Sequence, residues 1–204
     1  MSDRIQQNLR SGLRVSQASL AWTIAAGSTA VVVGVLGSSL ALITFGLIGL
    51  LDGVGSASLI VHFRHSSRHE AVSARHEQIA LMIVTVGMAA IGLATIGDSV
   101  YRLLTHAASH PRVLGTVVAG ASAIVLGILA VEKRTIARRI PSHALYSDGW
   151  VSGVGALLAL VVLCGTALDV GLGLWWVDAV AAVAIAGGAV TLSIVLVQGP
   201  IDRD

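Results

Sequence analysis

The chain has 204 residues, of which 55% are hydrophobic and only 12% charged, about half the charged share of an ordinary soluble domain, which is roughly 25%. That balance excludes a water-soluble globule and points to a membrane protein. The formal net charge is +2 and the pI about 9.2, yet no polar segment is long enough to fold into a basic face, so nucleic acid is not an expected partner.

From the N-terminus, Arg4, Arg10 and Arg14 lead into a first apolar run, Val15 to Leu36. It exceeds the roughly 7–15 residues of a signal-peptide core, which makes it an uncleaved helix. Further runs follow at Leu40 to Phe63, Ile79 to Leu104, Val113 to Val131, Leu145 to Ala167 and Leu174 to Val197. About 20 apolar residues cross a hydrocarbon core of roughly 30 Å, so six membrane-spanning helices are predicted. The expected class is all-α, one six-helix bundle over residues 1–204 with no soluble C-terminal domain. Cys164 is the only cysteine, so no internal disulfide is possible.

Lys and Arg fall unevenly on alternate sides of such a bundle. Arg4, Arg10, Arg14, Arg64, Arg68, Arg75, Lys133, Arg134, Arg138, Arg139 and Arg203 make eleven on one side, against Arg102 and Arg112 on the other. The positive-inside bias then places both termini in the cytoplasm, in the inner or plasma membrane.

Lipid gives helices no hydrophobic reason to associate, so small residues that allow close approach should matter. Gly49 and Gly53 in the second span, and Gly149 and Gly153 in the fifth, have the same four-residue spacing. This predicts a close contact made by these helices, with each other as one option.

Asp52 stands among glycines in the second span, about eleven residues from its cytoplasmic end, or roughly 16 Å at 1.5 Å per residue. Near the bilayer midplane a carboxylate is expensive and should face a cavity, a partner or a cation, unless burial keeps it protonated. Asp148, early in the fifth span, lies at similar depth, and Ser152 follows one turn later on the same face. Together these oxygens suit a divalent cation, with protons as competitors; the other reading of Asp148 is an N-cap. Asp98 precedes Arg102 by four residues, the spacing of a helical ion pair. Asp178 follows Trp175 and Trp176 at the start of the sixth span, where a carboxylate suits the helix dipole. Both acids are assigned an outer vestibule or a structural role.

The connection between spans two and three reads HFRHSSRHEAVSARHE. If the second helix continues, His62, His65 and His69 share a face and could ligate a metal, although the interleaved arginines oppose a cation. A solvated loop is the competing reading.

Taken in order, GSSLALITFGLIGLLDGV, ARHEQIAL, EKRTIARRIPSHALYSDGW and WWVDAVAAVAIAG resemble the transmembrane domain of the cation diffusion facilitator (cation efflux) family, in its short bacterial form. The resemblance implies a cation-efflux-like bundle, a homodimer and a divalent metal ion as substrate (zinc, manganese or iron), exported in exchange for protons. It implies four metal-binding positions, two on the second helix and two on the fifth, of which only Asp52 carries a ligand; Ile48, Val151 and Gly155 stand at the others. A degenerate site follows, to be rebuilt from Asp52, Asp148 and Ser152 if metal is moved at all. The alternative is a non-transporting relative that serves as a membrane partner or scaffold. No nucleophile with a base, HExxH or phosphate loop is present, so neither an enzyme nor an organic cofactor is expected.

Overall fold

The computed structural model describes residues 2–66, 74–107, 113–139 and 143–198, without the side chains at 2–10, 59, 62–66, 74–78, 80–81, 139, 143–144, 147 and 196–198. The described chain is all helical: α1 (Ser2–Leu36), α2 (Leu40–Ser66), α3 (Ala74–Thr105), α4 (Val113–Arg139), α5 (His143–Leu172) and α6 (Val177–Gln198). Each contains a stretch long and apolar enough to cross a membrane. Helices are the economical answer there, because every backbone N–H and C=O must find its partner within the segment.

The helices overrun the apolar runs. α4 continues to Arg139 rather than ending near Val131, and α5 begins at His143. Apolar composition marks where lipid lies, whereas the backbone ladder continues until a capping or breaking signal stops it.

At the side opposite the basic one, α1, α3 and α5 each end on a residue in the left-handed region: Ser38, His106 and Gly173, with φ of 51°, 55° and 63°. After α1, Ser39 N–H donates to Gly34 O at 2.8 Å and Ser38 N–H to Val35 O at 3.2 Å, the paired bonds of a Schellman cap. The His106 ring lies 4.6 Å from that of Trp175, tying the end of α3 to the α5–α6 turn.

Packing is densest between α4 and α5, α1 and α2, and α3 and α6, and α2 also meets α3, α5 and α6. The core is one apolar cluster that includes Leu42, Phe45, Ile48, Met88, Ala159, Val162, Ala182 and Ile185. Within it Thr44 of α2 and Thr95 of α3 share a hydrogen bond of 2.9 Å.

The glycine expectation needs correction. α2 leans mainly on α1, and the tight crossing is at Gly46, where an added Cβ would lie 2.6 Å from Gly27 O. Gly53 makes only ordinary contacts with Leu20 and Thr23, and Gly49 has nothing within 4 Å. Gly149 and Gly153 face α4, where a Cβ would meet Arg134 Cγ at 2.9 Å and Arg134 Nη2 at 2.5 Å. Spacing alone shows that two helices can approach closely, but the partner is set by which neighbouring surface fits.

Candidate cation site

α2 carries Asp52 toward a cavity bounded by α1, α4 and α5, with Met88 and Leu192 closing it from α3 and α6. The volume open to the centres of water-sized molecules is about 40 Å³, enough for a few waters at roughly 10–15 Å³ each. Its wall is mainly apolar. The four positions that the sequence marks on α2 and α5, Ile48, Asp52, Val151 and Gly155, all line this space. Helical periodicity explains this: residues four apart share a face, and two such faces oppose each other across the cavity.

Ser152 lines the same cavity and is almost fully buried. Asp148, one turn earlier, is also buried. It is the sixth residue of α5 and so is no N-cap. Its carboxylate lies 2.6 Å from Lys133 Nζ of α4. The same ammonium donates to Ser19 Oγ of α1 at 2.8 Å and to Ser152 Oγ at 2.9 Å. An ammonium has three N–H donors and no acceptor; two hydroxyls accept from it, and Asp148 Oδ2 meets it as an ion pair without a hydrogen bond. Asp52 feels the charges of both Asp148 and Lys133. Asp148 and Ser152 thus meet at one lysine, and Ser152 also lines the cavity with Asp52, whereas Asp148 is not among the residues that line it.

Lys133 follows the end of the fourth apolar run on the side rich in Lys and Arg, yet the structure buries it completely. The signal was present in the helical spacing. Leu126, Leu129, Ala130 and Ala137, all buried, stand seven, four, three and four residues away, which puts Lys133 on the inward stripe of α4. Its neighbour Arg134 turns along Gly149 and Gly153 and ends 3.9 Å from the Trp150 ring centre, a cation–π placement.

Other polar groups surround the cluster. Thr23 Oγ1, Ser122 Oγ and Trp22 Nε1 line the cavity or its edge and have no hydrogen-bond partner in the protein. Ser56, one turn past Asp52, and Ser16, just short of a turn before Ser19, are likewise buried without one. Buried polar groups ordinarily have a partner; these are free to meet water or a bound guest. Among the described residues no three His, Cys, Asp or Glu side chains gather at one point, so the donors on offer are two carboxylates and hydroxyls.

The remaining predicted residues lie elsewhere. Arg102 Nε donates to Asp98 Oδ2 at 3.0 Å, the i,i+4 pair expected from the sequence, and Arg102 Nη1 also donates to Ser38 O at 2.6 Å. Asp178 lies in the first turn of α6, as expected, and it also accepts from Ser39 Oγ at 2.6 Å and from Leu40 N–H at 2.7 Å, capping the start of α2. Asp178 thus binds the turn after α1 directly, and Asp98 reaches it only through Arg102. The side chains of His62 and His65 and the whole of His69 lie outside the described residues. No family model matches the chain, and the chemistry of the site rests on the residues described above.

Proposed function

We propose that the chain is a multi-pass transporter that exports divalent metal cations in exchange for protons, set in the inner or plasma membrane with both termini cytoplasmic. The observation that carries this reading is Asp52 on a cavity within the bundle that Ser152 also lines, with Asp148 one turn before Ser152 on the same helix. An ionisable group at membrane depth is costly, and a cargo cation would offset that cost. Protons compete for the same carboxylate oxygens, which couples cation release to proton uptake. Carboxylates and hydroxyls are hard ligands, so manganese or iron(II) suits them better than a thiolate-seeking ion. The resemblance to cation diffusion facilitators supports the same reading, since its four ligand positions fall on residues lining one cavity, and it adds a homodimer as an expectation of its own. In proteoliposomes, Asp52→Asn should reduce manganese, iron(II), cobalt and zinc flux to that of protein-free vesicles; equal flux in both proteins overturns the proposal.

One observation favours a second reading, a non-transporting scaffold. Lys133 already satisfies Asp148, as a purely structural ion pair would. Co-purification with a second membrane protein, a metal-free elemental profile and an unchanged phenotype for Asp52→Asn would support it.

A further inference from the structure

Lys133 occupies the place that a cargo cation needs. Its ammonium is held by Asp148, Ser152 and Ser19, all from neighbouring helices, at 2.6–2.9 Å. Two of those three, Asp148 and Ser152, are ligands in the transport reading. A divalent ion bonds oxygen at about 2.0–2.6 Å, so it and the ammonium would claim the same lone pairs at a separation where like charges repel strongly in a low-dielectric interior. They cannot both be seated.

We infer that Lys133 is an internal stand-in for the cargo, a tethered cation that fills the Asp148–Ser152 seat when no metal is bound and must withdraw before a divalent ion enters. This rests on the transport reading and specifies how its site is regulated. With the ammonium in place, the Asp148 carboxylate and the Ser152 hydroxyl are already engaged; with the lysine withdrawn, their oxygens are open to a doubly charged guest. The four-carbon stem of lysine is flexible enough to move while α4 stays fixed. The tether serves two ends. It keeps the buried carboxylates compensated in the cargo-free protein, and it limits how tightly cargo is held, so that a bound ion can be released.

The test is equilibrium binding of manganese(II) to the full chain in detergent micelles at one fixed pH. Lys133→Met retains bulk, removes the charge and leaves Asp52, Asp148 and Ser152 intact. It should bind manganese at least about tenfold more tightly than the unaltered protein, which corresponds to about 1.4 kcal/mol, and manganese should raise its melting temperature by more. Ser19→Ala loosens the seat of the ammonium without touching the ligand set and should tighten binding in the same direction by a smaller factor. Unchanged or weaker binding in Lys133→Met overturns the inference, and if that variant does not fold, the same result in Ser19→Ala overturns it. The two proposals fail separately. Flux that depends on Asp52, with no tightening in either variant, leaves transport standing and removes the tethered cation. Tightening without flux does the reverse.

Discussion

Lys133 on α4 and Asp148 on α5 form an ion pair of 2.6 Å, with the lysine wholly buried and the acid nearly so. The two residues are fifteen positions apart, on helices that run in opposite directions across the most extensive helix contact of the bundle. A buried pair of this kind need not be strongly stabilising as a whole, because both charges lost their hydration to form it. Removing one partner is a different matter, since it strands the other. Asp148→Asn is expected to cost about 3–5 kcal/mol in reversible unfolding from micelles, and Lys133→Met/Asp148→Leu to cost clearly less than the sum of its single substitutions. Additive losses in a double-mutant cycle would show that the two groups do not interact.

A second long-range bond sets the entry to α2. Asp178, at the start of α6, supplies the carboxylate that Leu40 N–H needs, and Ser39 Oγ donates to the same group. Hydrogen bonds to a charged acceptor contribute about 1.5–3 kcal/mol. Asp178→Ala should therefore lower stability by at least that amount, with faster amide exchange in the first turn of α2, whereas Ser39→Ala should cost about 1 kcal/mol. Protection of Leu40 and its neighbours unchanged in Asp178→Ala would refute the cap.

Gly46 and Gly49 lie less than one turn apart on α2 yet should respond oppositely. A Cβ at Gly46 meets the Gly27 carbonyl at 2.6 Å, and a backbone atom cannot step aside, so Gly46→Ala should separate α1 from α2 at about 1–3 kcal/mol. Gly49 faces open space and lines the Asp52 cavity. Gly49→Ala should leave stability unaltered or slightly raised, while Gly49→Leu should fill the cavity and suppress flux without unfolding. Thermal melts of the three variants, read beside flux, check the contrast.

The cavity also permits a gain of function. Val151 lines it together with Asp52, so Val151→Asp would add a second carboxylate to the same space. Manganese affinity should rise by at least about tenfold, with lower stability in the metal-free state because another acid is buried. No change in manganese binding, measured by calorimetry, would show that Val151 and Asp52 do not share a site.

Six helices, the place of Asp52 and the shared face of Asp148 and Ser152 were legible in the sequence, because these follow from local quantities: apolar length matched to lipid, and a helical period of 3.6. The Asp98–Arg102 pair was legible for the same reason, as both partners belong to one helix. Which helices touch, the close crossing at Gly46 rather than Gly53, the capping of α2 by Asp178 of α6 and the inward turn of Lys133 to Asp148 emerge only from the folded bundle. Each of those depends on how surfaces distant in the chain fit together and on where a charge can find oxygen once water is gone; a lysine beside three other basic residues reads as solvated until two neighbouring helices are seen to surround it with oxygen.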